Sequence, residues 1–162
     1  MSVVDHPLRQ TTELNGRIQA EFGELACWRA TIDMGMIVFL DFGERMNLQA
    51  KSGPVTVGAL RLLVHSESWV VERDGAVGPV SDQVLDDEDE ASLEIVFVGR
   101  RLHRLDWSAN TCRLTFSEGV IMKIDRASEA PERDTLVEFR FANGDFVDCM
   151  ANGAIETERS DE

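Results

Sequence analysis

Between residues 12 and 25 apolar side chains recur every three or four positions, at Leu14, Ile18, Phe22 and Leu25, the period of an amphipathic helix. Residues 1–12 carry few apolar side chains and read as a loose arm before it, with Thr11 or Thr12 placed to cap the helix. Gly16 weakens the helix interior by roughly 1 kcal/mol, and Gly23 either does the same or ends the helix. Residues 27–32 then read as a strand, Asp33-Met34-Gly35 as its turn, and 36–42 (MIVFLDF) as a strand apolar on both faces, closed by Gly43. A largely polar connection around Ser52-Gly53-Pro54 covers 47–58. Segments 59–64 and 68–72 are strand-like, with a turn at Asp74-Gly75 and a bend at Gly78-Pro79.

The second half opens on acid. Residues 81–90 are rich in carboxylates, with Ser81 or Asp86 as a cap, and a helix over about 87–98 puts Leu93, Val96 and Phe97 on one face. The β-prone run Ile95-Val96-Phe97-Val98 argues for a strand at 93–98 instead; the acidic opening and Gly99 favour the helix. From 101 to 107 the chain alternates, Leu102, Arg104 and Asp106 against His103, Leu105 and Trp107. Cys112, Leu114 and Phe116 share one strand face, and Val120, Met122 and Ile124 another across the turn Glu118-Gly119. After a polar loop at 125–134, Val137, Phe139 and Phe141 alternate with Glu138 and Arg140. Asn143-Gly144 marks a hairpin, 146–150 returns, and 156–162 reads as a charged tail.

These elements predict an α+β fold, mainly antiparallel β-sheet with about two helices, in a single domain spanning 1–162. Two segments also echo each other. Leu14–Ile18 parallels Val98–Leu102, and Trp28 followed by VFLDFG (38–43) parallels Trp107 followed by LTFSEG (114–119). The echo predicts an internal duplication of a helix-plus-hairpin unit, with pseudo-repeats at about 12–80 and 81–155. The pieces Cys27-Trp28-Arg29 with FLDFGE (39–44), and Gly99-Arg100 with LTFSEG, resemble small uncharacterised bacterial cytoplasmic proteins. The resemblance implies a bacterial, cytoplasmic origin and an α+β fold, and brings no activity and no catalytic residues. Immunity partners of toxins are an analogy in build only.

Charge sharpens the picture. The net charge is -14, and it is uneven: residues 1–80 hold 7 Lys/Arg against 10 Asp/Glu, residues 81–162 hold 9 against 20. Such a field repels nucleic acid and anionic lipid and favours a basic partner. No apolar run is long enough to span a membrane, and the first residues lack a secretory signal pattern. Cys27, Cys112 and Cys149 are odd in number and lie in apolar segments, which predicts reduced, buried thiols in a cytoplasmic protein.

Chemistry is sparse. His6, His65 and His103 show no ligand spacing with one another or with a cysteine, so no metal site and no cofactor is expected. No cysteine stands where a thiolate would be activated, and the glycines are isolated, without a phosphate-cradling loop. Asp86 to Glu90 lacks the alternating ligands and central glycine of a calcium loop. Arg100, Arg101 and Arg104 are expected to balance the preceding acids, and Trp28, Trp69 and Trp107 to anchor the core. The expectation is a non-enzymatic acidic interaction module, an immunity or inhibitor protein. It would bind a basic protein surface through Asp82, Asp86, Asp87, Glu88, Asp89 and Glu90. The alternative is a small-ligand binder or enzyme with a cleft between the repeats, using His65, His103 and nearby acids. A homodimer through a sheet edge or apolar patch is the third reading.

Overall fold

The fold is α+β and antiparallel throughout, as the periodicities predict. It is seen in a computed structural model that describes residues 5–33, 37–51, 53–66, 68–80, 87–108, 110–126 and 135–159, with backbone alone at 5–8, 33, 79–80 and 87–90. Helix α1 (Asp5–Glu21) leads into β1 (Cys27–Asp33), β2 (Ile37–Ala50), β3 (Gly53–Val64), β4 (Trp69–Arg73) and β5 (Ala76–Val80). Helix α2 (Asp87–Phe97) leads into β6 (Leu102–Trp107), β7 (Thr111–Phe116), β8 (Val120–Asp125), β9 (Thr135–Arg140), β10 (Phe146–Met150) and β11 (Ile155–Glu158). A larger sheet runs β1-β2-β3-β9-β10-β11 and a smaller one β5-β4-β8-β7-β6.

The order of elements repeats. Each helix feeds a three-strand meander, and the chain then crosses to pair with the last meander strand of the other half: β4 joins β8, and β9 joins β3. Where the two helix-to-strand connections meet, Ala26 bridges Arg101, 75 positions away. The same offset relates the buried Phe22 to Phe97 and Cys27 to Leu102. The parallel expected between Leu14–Ile18 and Val98–Leu102 fails, because the first lies inside α1 and the second runs from the end of α2 into β6.

One core joins both sheets and both helices. Leu14, Ile18 and Phe22 of α1 are buried, and the Phe22 ring meets Phe42 at 5.2 Å, Phe141 at 5.6 Å and Phe139 at 6.1 Å, all edge-on. From α2, Leu93, Val96 and Phe97 point inward, and Phe97 meets Phe116 edge-on at 5.0 Å. Each helix also seals a sheet edge. The Asn15 side chain donates to the carbonyl of Leu105 and accepts from its N–H, both at 2.8 Å, so that one amide imitates a neighbouring strand along β6. Gln10 donates to the carbonyl of Ile155 in β11.

Several boundaries depart from the sequence reading. Helix α1 is described from Asp5, so residues 5–12 are helical where a loose arm and a Thr11/Thr12 cap were expected, and 1–4 lie outside the described residues; Gln10 ties this added stretch to β11. The expected tail at 156–162 contributes β11, paired to β10 from Ile155 to Glu158. Gly78 and Pro79 lie within the edge strand β5, where the pairing with β4 shifts register between Val77 and Val80, so the expected bend is an irregularity inside the strand. A bulge between Leu102 and Arg104 turns both Leu102 and Leu105 inward, where strict alternation would have separated them.

The largest difference is at Gly43, which does not close β2. The strand continues to Ala50, and its pairing with β3 shifts between Phe42 and Arg45. Gly43 sits at φ +75°, and a Cβ at Gly58 would lie 2.5 Å from the Phe42 carbonyl oxygen, so both glycines are needed for the bulge. Beyond it, 44–57 form a two-stranded arm in which residues 44–49 are all exposed.

Phe22→Ala should lower unfolding free energy by about 3–5 kcal/mol, because three rings close on that side chain. Asn15→Ala should cost about 1–3 kcal/mol by leaving both backbone groups of Leu105 unpaired. Urea titration followed by circular dichroism measures both.

Candidate functional site

Pairing registers place six residues in one line across the outer face of the larger sheet. They are Arg29 on β1, Asp41 on β2, Arg61 on β3, Arg140 on β9, Phe146 on β10 and Glu158 on β11. The next line on that face reads Thr31, Phe39, Leu63, Glu138, Asp148 and Glu156. Phe39, Leu63 and Val57 are buried yet lie apart from the main core.

Asp41 is fully buried. Its Oδ1 accepts from Arg61 Nε at 2.7 Å and from the Gly58 N–H at 2.9 Å, so the carboxylate also takes up the N–H that the bulge frees. Arg29 Nε faces Asp41 Oδ2 across 3.5 Å, an ion pair without a hydrogen bond, while Arg29 Nη1 donates to the carbonyl of Thr56 in the arm. Arg61 lies over the Phe39 ring at 4.9 Å. Burial pulls its pKa down, and the flanking Arg140 and Arg29 add to that, against the pull of Asp41.

Further along the face, His65 Nε2 and Glu138 Oε1 are 3.0 Å apart, and Arg140 Nε donates to Glu138 Oε2. Burial would raise the Glu138 carboxyl, but the hydrogen bonds from His65 and Arg140 outweigh it and hold the pKa below the usual value. Asp148 moves the other way: burial first, then Glu138 and Glu158, push its carboxyl up. Every arginine of the row has a carboxylate partner on its own chain, and the carboxylates of the two lines outnumber the arginines. The row can hold the sheet and the base of the arm; an incoming anion would have to break pairs already made.

The expected site residues are scattered relative to this row. Asp82 and Asp86 lie outside the described residues; Asp87, Glu88, Asp89 and Glu90 form the first turn of α2. His65 does meet an acid, Glu138, whereas His103 sits in the β6 bulge of the other sheet and His6 in the first turn of α1. Two shallow grooves flank α1. One of about 190 Å³ lies over Leu14, Val147 and Ile155, the other of about 230 Å³ beside Asn15 and Arg104, and neither includes His65 or His103. Among the described residues no cluster of three or more His, Cys, Asp or Glu is arranged to hold a metal ion.

The cysteines are free and buried. Burial pushes the Cys27 and Cys112 thiols up to about 12 and Cys149 well above its ordinary value, so all three stay protonated and unreactive at neutral pH. Arg100 pairs with Glu118 and Arg104 with Asp106, both acids that follow them in the chain; the preceding acids they were expected to balance have side chains outside the described residues. Trp69 is a core residue. Trp107 is partly buried beneath Arg126, and Trp28 is partly buried beneath Arg45, its Nε1 donating to the carbonyl of Gly43.

Among the described residues no helix is long and apolar enough to cross a membrane. No known protein family, no curated protein and no solved structure matches this chain.

Asp41→Ala should destabilise by about 3–5 kcal/mol, since it strands Arg61 and the Gly58 N–H. The pH test uses Asp148. A carboxyl whose folded pKa is raised costs the folded state stability wherever it is ionised, so Asp148→Asn should raise the urea midpoint at pH 7. That gain should fade as the pH falls through the folded pKa and vanish below the unfolded value of about 3.9.

Proposed function

We propose that this chain is a non-enzymatic interaction module of a bacterial cytoplasm, an immunity or inhibitor protein, which meets a basic partner surface through α2. One observation carries the reading. The inward residues of α2, Leu93, Val96 and Phe97, are all taken up by the core, yet Ile95 remains 70% exposed on the same helix and Val98, the residue that follows the helix, 40% exposed. An isolated exposed apolar residue needs no explanation. Here two lie three positions apart, one on and one just after a helix whose sequence holds five carboxylates and no basic residue. That combination suits a partner with an apolar anchor ringed by lysine or arginine. Protonated, buried thiols agree with a reducing compartment. The row, with its arginines paired and His65 held by Glu138, supports a non-catalytic reading.

The test is capture from native bacterial lysate at low and at raised salt, with wild type beside two variants. Ile95→Ser removes the anchor at an exposed position and should leave stability within about 0.5 kcal/mol. Lysine at Asp87, Glu88, Asp89 and Glu90 reverses the charge. A basic partner held by wild type, lost at high salt and lost by both variants is the expected outcome. Equal retention by wild type and variants would sink the reading.

A further inference from the structure

The arm at 44–57 has two unlike faces. Met46 pairs with Val57, Leu48 with Val55 and Ala50 with Gly53, so these side chains share one face; Arg45, Asn47 and Gln49 share the other with Gly58, Thr56 and Pro54. On the apolar face Met46 is 43% and Leu48 46% exposed, while Val57 at the base is buried. The main core does not use these residues. The arm is also held in place: Asp41 takes the Gly58 N–H, Arg29 bonds the Thr56 carbonyl, Trp28 bonds the Gly43 carbonyl, and Arg45 lies over the Trp28 ring. A ribbon fixed by so many contacts, with its apolar face left in water, is built to present that face.

Charge says to what. Arm residues 44–57 contain Arg45 and Lys51 against Glu44, a net positive segment in a chain of net -14. Helix α2 is the opposite: its sequence holds five carboxylates and no basic residue, and it carries the exposed Ile95 and leads into the exposed Val98. Within one molecule Leu48 and Ile95 both stay exposed, so the arm does not cover its own α2. Seven arm residues at about 3.3 Å each reach about 23 Å. The eleven residues of α2, at 1.5 Å each, span about 16 Å, so the arm can lie along the whole helix.

We infer that the β2–β3 arm of one copy docks its Met46/Leu48 face on Ile95 of α2 and the adjoining Val98 in a second copy, and that reciprocal exchange closes a two-fold dimer. Such a dimer uses each arm and each helix once and leaves no open end for a filament. The inference rests on the same α2 face as the interaction reading above and names a different occupant for it.

The experiment has two parts that separate those occupants. Light scattering over about a hundredfold range of concentration should show wild type passing from monomer to dimer. Leu48→Asp and Ile95→Lys should each weaken the dimer at least about tenfold while circular dichroism and urea midpoint stay unchanged. In the second part, Leu48→Cys protein is mixed with Ile95→Cys protein under mild oxidation. A disulfide-linked pair should form in the mixture, and neither variant alone should link to itself. A wild type that stays monomeric at the highest concentration overturns the inference, as does a dimer that both substitutions spare, or Leu48→Cys linking only to itself. A monomeric wild type that still captures a basic partner through Ile95 would leave the interaction reading standing without the dimer. A dimer with no captured partner would do the reverse.

Discussion

A sheet edge must pair its N–H and C=O groups or leave them to water, and an apolar core held between two sheets cannot be left open at its seams. This constraint organises the molecule. Helix α1 lies where β6 and β11 end their sheets, and reaches the backbone of both through Asn15 and Gln10. Helix α2 covers β1, and its exit loop hydrogen-bonds β1 directly, Gly99 N–H to the Cys27 carbonyl and Cys27 N–H to the Arg100 carbonyl. With the seams closed, Phe22 and Phe97 are driven into the sheets from opposite helices, and the chain gains one core in place of two weaker ones.

Much of this was legible along the chain because it follows from local periodicity. The stripe Leu14, Ile18, Phe22 and the alternations 112–116 and 120–124 describe their buried faces correctly, and the acidic opening with Gly99 rightly favoured a helix over a strand at 93–97. What failed depends on distant partners. A glycine after an apolar strand reads as a terminator, and only the pairing with β3 reveals Gly43 as a bulge in a strand that continues. Ile155 to Glu158 has no strand signature of its own and becomes one because β10 offers an edge. The charged row was missed for a related reason. Asp41 in MIVFLDF and Glu138 in LVEFR interrupt apolar runs, which is a signal of a buried, paired carboxylate, but their partners on neighbouring strands cannot be read from spacing.

The repeated order of elements supports a proposal of duplication more strongly than the sequence echo does. The echo of Trp28 with Trp107 joins the start of β1 to the end of β6, four positions off the 75-residue offset of the Ala26–Arg101 bridge, and the echo of Leu14 with Val98 joins unlike elements. Whatever its origin, the strand order interleaves the halves: each sheet is completed by later strands from the other half, β4 and β5 on β8 and β9 to β11 on β3.

Interleaving also decides where function can reside. Interior side chains are committed to the shared core, and the arginines of the charged array on the larger sheet are each paired with a carboxylate of that array. Asp41 fixes the bulge, and Glu138 binds both His65 and Arg140. The halves differ in what they add beyond the common plan. The first extends its β2–β3 hairpin into an arm with exposed Met46 and Leu48, and the second places its densest carboxylate run at the start of α2, ahead of exposed Ile95 and Val98. Neither addition is required to close a seam or fill the core. Apolar surface kept in water costs solubility, roughly in proportion to its area, and a fold with 30 carboxylates has polar residues enough to cover both places. Their persistence on one net positive and one acidic element is the observation from which both the partner proposal and the dimer proposal start.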